Sequence, residues 1–67
     1  MKVLDKQIGV LKVLVASEGK YIREGTNVVI ETIVDNFKNI EVHVISAYTM
    51  VRLPYIDTDV KWLLGVK

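Results

Sequence analysis

Six of the seven residues from Val28 to Val34 are β-branched, and this run narrows the possible folds more than any other feature of the chain. It opens the stretch VVIETIVDNFKNIEVHVI, residues 28–45, which reads either as an amphipathic helix followed by a strand or as two strands joined at DNFKN. The helical reading rests on periodicity: Val29, Ile30, Ile33, Val34 and Phe37 fall on one stripe, Glu31, Thr32, Asp35, Asn36 and Lys38 fall opposite, and Thr26 or Asn27 is placed to cap the start. The strand reading rests on residue type. Each β-branched side chain gives up a few tenths of a kcal/mol of helix propensity, and the run together gives up roughly 2 to 4 kcal/mol. That is comparable to the whole stability margin of a domain this small. Asp and Asn at either end of DNFKN are also turn formers that bond back to the backbone. The expectation is a hairpin, with an α/β arrangement containing a β-α-β unit as the alternative.

The remaining segments are short. KVLVAS, residues 12–17, is aliphatic and β-branched, and is expected to be a strand closed by the polar turn Glu18-Gly19-Lys20. Tyr21 to Arg23 leads to a second break at Glu24-Gly25-Thr26. IEVHVI, residues 40–45, alternates, with Ile40, Val42 and Val44 on the apolar side and Glu41 and His43 on the polar side. After a turn at residues 46–49, Met50 to Tyr55 alternates again, and Pro54, which has no N–H for a ladder, puts this strand at a sheet edge. A single helical turn is expected near Asp57–Lys61, capped by DTD and followed by the apolar VKWLL.

Composition limits the function classes. A chain of 67 residues is expected to form one small domain, residues 1–67, and a domain of this size buries only about 60% of its unfolded surface. With no cysteine, neither disulfides nor thiolate metal sites supplement the core, so self-association is expected to add stability. Nine Lys and Arg against eight Asp and Glu give a formal charge of +1 with the signs interspersed, which creates no global field toward nucleic acid or anionic lipid. No uncharged run approaches the ~20 residues of a membrane span, and Asp5, Lys6 and Lys12 interrupt any secretory leader core. A cytoplasmic setting is expected.

The order of features, YIREGTNVVIETIV, a turn, IEVHVIS, a second turn, VRLPYI, DTD and VKWLL, resembles the small SH3-like barrels across residues 12–64. The resemblance implies a mainly β barrel of about five strands with one short helical turn leading into a final strand. It also implies an aromatic shelf that holds a peptide, on which Tyr55 and Trp62 beside Pro54 match in residue type. The alternative has a family face as well: KVLVAS and EVHVISAY flanking a helix look like the opening β-α-β unit of the universal stress proteins. The later glycine-rich phosphate loop on which nucleotide binding relies in that family has no counterpart here, since Gly9, Gly19, Gly25 and Gly65 form no G-x-x-G spacing.

No catalytic residue is indicated. His43 is the single histidine and supplies no metal-ligand set by itself, so a packing or surface role is expected for it. Ser17 and Ser46 lack a nucleophile context, and Asp57 with Asp59 makes only a fraction of a calcium shell. Neither an enzyme, a metal site nor a cofactor is expected. Tyr21, Tyr48, Tyr55 and Trp62, flanked by Arg52, are the residue types that dominate binding hot spots. They are the expected protein-binding residues, with Trp62 alternatively assigned to the core. The expectation is therefore a non-catalytic, self-associating interaction module, of a kind that suits a phage or mobile-element accessory protein. A nucleic-acid-binding barrel and a truncated α/β nucleotide-fold relative are the rivals.

Overall fold

The computed structural model describes residues 2–55 and 60–64, with residues 60 and 61 described by backbone alone. The chain is mainly β. Strands β1 (Lys2–Val10), β4 (Asn27–Val34), β5 (Ile40–Ile45) and β6 (Met50–Pro54) form a four-stranded antiparallel sheet in the order β1-β4-β5-β6. Strands β2 (Val15–Ser17) and β3 (Lys20–Ile22) form a separate hairpin, and α1 (Val60–Leu63) is a single helical turn.

The stretch that opened the sequence reading is a hairpin. Val34 pairs with Ile40, and β4 runs from there against β5 as far as Val29 and Ile45. The five residues between them are organised by Asp35. Its Oδ1 accepts the backbone N–H of Phe37 at 2.8 Å and of Asn39 at 2.9 Å, while the Lys38 N–H closes a tight turn on the Asp35 carbonyl at 3.1 Å. Lys38 then takes a left-handed conformation, φ 64°, the step that follows a type I turn in short hairpin loops. Phe37 sits at the exposed tip. These pairings rule out a β-α-β unit over residues 12–45.

Two further hairpins carry similar local signatures. Ser17 pairs with Lys20 across Glu18 and Gly19, both at positive φ, 56° and 77°. That is the type I′ geometry, whose twist matches the flanking strands. Between β5 and β6, the Ser46 hydroxyl donates to the Thr49 carbonyl at 3.1 Å and accepts the Thr49 N–H at 3.1 Å. Strand β6 lies at the sheet edge and ends at Pro54, as the missing N–H requires.

The core lies on one face of the large sheet. Val28, Ile30, Val42, Val44 and Val51 pack with Val15 and Ile22 of the β2–β3 hairpin and with Leu11 and Leu63. Leu11 is the junction: its N–H bonds the Thr26 carbonyl at 2.9 Å, its carbonyl accepts from Gly25 at 2.8 Å, and the neighbouring Lys12 N–H reaches the Leu63 carbonyl. An isolated bridge joins Leu11 to Leu64. The chain is closely packed there: a Cβ added at Gly9 would lie 3.2 Å from a methyl of Leu64.

Several expectations are corrected. β1, absent from the sequence reading, is the longest strand, and the segment expected as a strand over residues 12–17 is strand only from Val15. The two sheets do not close into a barrel. The helical turn expected near Asp57–Lys61 is described over Val60–Leu63, so residues 62 and 63 are helical where a final strand was expected, and the capping role assigned to Asp57 and Asp59 falls outside the described residues. Trp62 is not a core residue: it is 66% exposed, because Leu63 is the side chain that this turn directs into the core.

Candidate binding cleft

The sequence assigned His43 to a polar sheet face, yet it is only 7% exposed. Its cross-strand neighbours are Glu31 on β4 and Arg52 on β6. Nε2 lies 2.9 Å from Oε1 of Glu41, two positions earlier on the same face. The ring is thus a satisfied packing element. Among the described residues, every buried side-chain nitrogen or oxygen has a partner, and no three His, Asp or Glu side chains converge as a metal site would need.

Arg52 extends from the same row past the sheet edge, and its Nη2 lies 3.2 Å from Oε2 and 3.3 Å from Oε1 of Glu18 in the β2–β3 turn. This contact frames one side of an open cleft of about 380 Å³, lined by Ser17, Glu18, Asn39, Ile40, Glu41, Arg52, Leu53 and Pro54. Three elements supply it: the β2–β3 turn, the start of β5 and the end of β6. Its chemistry is mixed. Ile40, Leu53 and Pro54 give apolar surface, Glu18 and Glu41 give carboxylates, and Arg52 gives a guanidinium already engaged with Glu18. At the Asn39 end, the Asp35 carboxyl is held below the usual carboxylate range, chiefly by the backbone N–H of Asn39 and also by that of Phe37 and the Asn39 amide, while partial loss of water acts the other way.

The sequence-predicted binding residues do not all meet here. Arg52 lines the cleft and Tyr55 follows Pro54 directly. Tyr48 is 97% exposed in the turn before β6, so the length of the strand, about 13 Å, separates it from Tyr55. Tyr21 is exposed on β3 opposite Ala16, and Trp62 is exposed on α1. The residues that sequence reasoning missed are Glu18, Glu41, Ile40 and Leu53. Each reads as an ordinary turn or strand residue, and only the pairing of distant strands collects them.

No helix among the described residues is long and apolar enough to cross a membrane. Comparison with family models, with curated proteins and with solved structures gives no match.

Proposed function

We propose that this chain is a non-catalytic, cytoplasmic interaction module that binds a short extended segment of another protein in the cleft between the β2–β3 turn and the ends of β5 and β6. The observation that carries the reading is the cleft itself: apolar side chains flanked by Glu18 and Glu41, at the edge of a sheet whose last strand is interrupted by Pro54. Apolar side chains set among a few placed polar and charged groups are how small sites combine affinity with orientation. The segment it suits carries an aliphatic or proline residue for Ile40 and Leu53 next to a lysine or arginine for the two carboxylates. Kinship with the SH3-like small barrels is supported by the hairpin inserted between the paired strands β1 and β4, by the β4-β5-β6 meander, and by the Leu11–Leu64 bridge after a helical turn.

Selection of a displayed peptide library on the wild type, on Leu53→Ala and on Glu41→Gln tests this. Enrichment of aliphatic-basic segments that is lost on both variants is the expected result, with amide shifts on binding confined to Ser17, Glu18, Ile40, Glu41 and Leu53. No enrichment, or shifts centred elsewhere, overturns it. Binding to single-stranded nucleic acid that weakens steeply with salt would replace it with the nucleic-acid reading.

A further inference from the structure

The loop that joins β4 to β5 is fixed without help from its largest side chain. Asp35 Oδ1 accepts the backbone N–H groups of Phe37 and Asn39 at 2.8 and 2.9 Å, and the Phe37 ring is left 84% exposed at the tip. The turn uses only the N–H of Phe37, which any residue but proline supplies, so folding does not account for the ring. Lys38 follows, also exposed, and among the described residues it is in no ion pair. An aromatic side chain held out on a pre-formed loop is the arrangement of an interface anchor, because little conformational freedom is lost when it docks.

We infer that Phe37 and Lys38 dock in the cleft of a second copy, whose own loop docks in return. The inference rests on the reading of the cleft given above and names an occupant for it. That cleft suits an apolar residue beside a basic one, and Phe37-Lys38 is such a pair. The ring meets Ile40, Leu53 and Pro54, and the ammonium meets Glu18 and Glu41, of which Arg52 offsets only the first. Glu41 contacts His43 through Oε1, which leaves Oε2 to accept from a lysine. Phe37 does not line its own cleft, and its exposure shows that the ring is not seated there. Tip and cleft are nevertheless neighbours, since the cleft begins at Asn39, two positions past the tip and within roughly 7 Å of extended chain. Both lie at the end of the sheet where β4 turns into β5 and β6 finishes. A two-fold axis between them satisfies both contacts at once, the self-complementary pattern of a closed dimer. Two rings of about 150 to 250 Å² each make an interface of the small, transient class, so the association is weak and reversible.

Exchanging the charges across the contact tests it. In a dimer of Lys38→Glu, both contacts set glutamate against Glu41, and in a dimer of Glu41→Lys both set lysine against Lys38. An equimolar mixture of the two variants restores an opposite-charge pair at both contacts. Sedimentation at low salt from about 10 µM to 1 mM, with circular dichroism confirming that each variant is folded, reads the outcome. The expected result is a wild-type species heavier than 7.6 kDa at the upper concentrations. Phe37→Ser is expected to raise the dissociation constant at least about tenfold, each charge variant about fivefold or more, and the mixture is expected to associate like the wild type. A wild type that stays monomeric overturns the proposal. So does an association that Phe37→Ser leaves unchanged, or a mixture that associates no better than its components. Peptide selection on Phe37→Ser, whose cleft is intact, separates the two readings: enrichment of aliphatic-basic segments there, with a monomeric wild type, overturns the self-docking alone, whereas no enrichment overturns the cleft reading and this inference with it.

Discussion

Arg52 and Glu18 stand 34 positions apart in sequence and 3.2 Å apart in space, so the edge strand of the large sheet is tied to the turn of the small one. Both groups are substantially exposed, and exposed pairs contribute little. A double-mutant cycle with Arg52→Met and Glu18→Gln is expected to give a coupling below about 1 kcal/mol in urea unfolding. The same contact has a larger effect on the cleft wall that it holds, so Arg52→Met is expected to weaken a captured peptide while leaving the unfolding midpoint nearly unchanged.

Glu18 also occupies a left-handed position, φ 56°, immediately before Gly19 at 77°. Asn-Gly is the pair best suited to this turn. Glu18→Asn is therefore expected to raise the urea midpoint slightly despite losing the ion pair. A lower midpoint would show that the contact with Arg52 outweighs turn geometry.

Asp35 sets the acid behaviour of the β4–β5 hairpin. Its carboxyl sits below the ordinary value because Asn39 and Phe37 donate to the charged form. A folded value below the unfolded one means that the contribution is complete above the unfolded value of about 3.9 and is lost as pH falls through the folded value. Urea midpoints measured from about pH 5 to pH 2 should fall for the wild type with a component that Asp35→Asn lacks. Parallel curves would show that the carboxylate has no role in the loop.

Ile30 and Trp62 invert the usual ranking of large side chains. Ile30 is fully buried against Val44 across the hairpin, and Ile30→Ala is expected to cost about 2 to 5 kcal/mol, enough to unfold much of so small a domain. Trp62→Ala is expected to cost less than about 1 kcal/mol, since most of the indole is already in water. Thermal unfolding followed by far-UV circular dichroism separates the two. A Trp62→Ala chain that melts like Ile30→Ala would refute the exposed placement.

His43 separates packing from hydrogen bonding. His43→Leu keeps most of the volume and leaves Glu41, which is partly exposed, free to take water in place of the imidazole, so a loss below about 1 kcal/mol is expected. His43→Ala leaves a void between two strands and is expected to cost about 1 to 3 kcal/mol. Equal losses in urea titration would assign the role to the Glu41 contact instead.

By itself the sequence determined what is decided within a few residues: the β-branched run as strand β4, Asp35 and Asn39 as hairpin ends, the Glu18-Gly19 turn, and Pro54 at a sheet edge. Each follows from steric preference or a short-range hydrogen bond that a local segment expresses alone. Only the tertiary structure decided the rest. β1 carries Lys2, Asp5, Lys6 and Gln7 among its apolar residues, and its pairing with β4 shifts register between Val3 and Asp5, so no clean alternation announces it. It is a strand because β4 offers it a ladder. Trp62 and Leu63 are both apolar neighbours on one helical turn, and the placement of that turn beside Leu11, through the Lys12–Leu63 bond, chose which one is buried. The walls of the cleft come from the register between strands distant in sequence. That register is a sum of many weak contacts, and no single segment contains it.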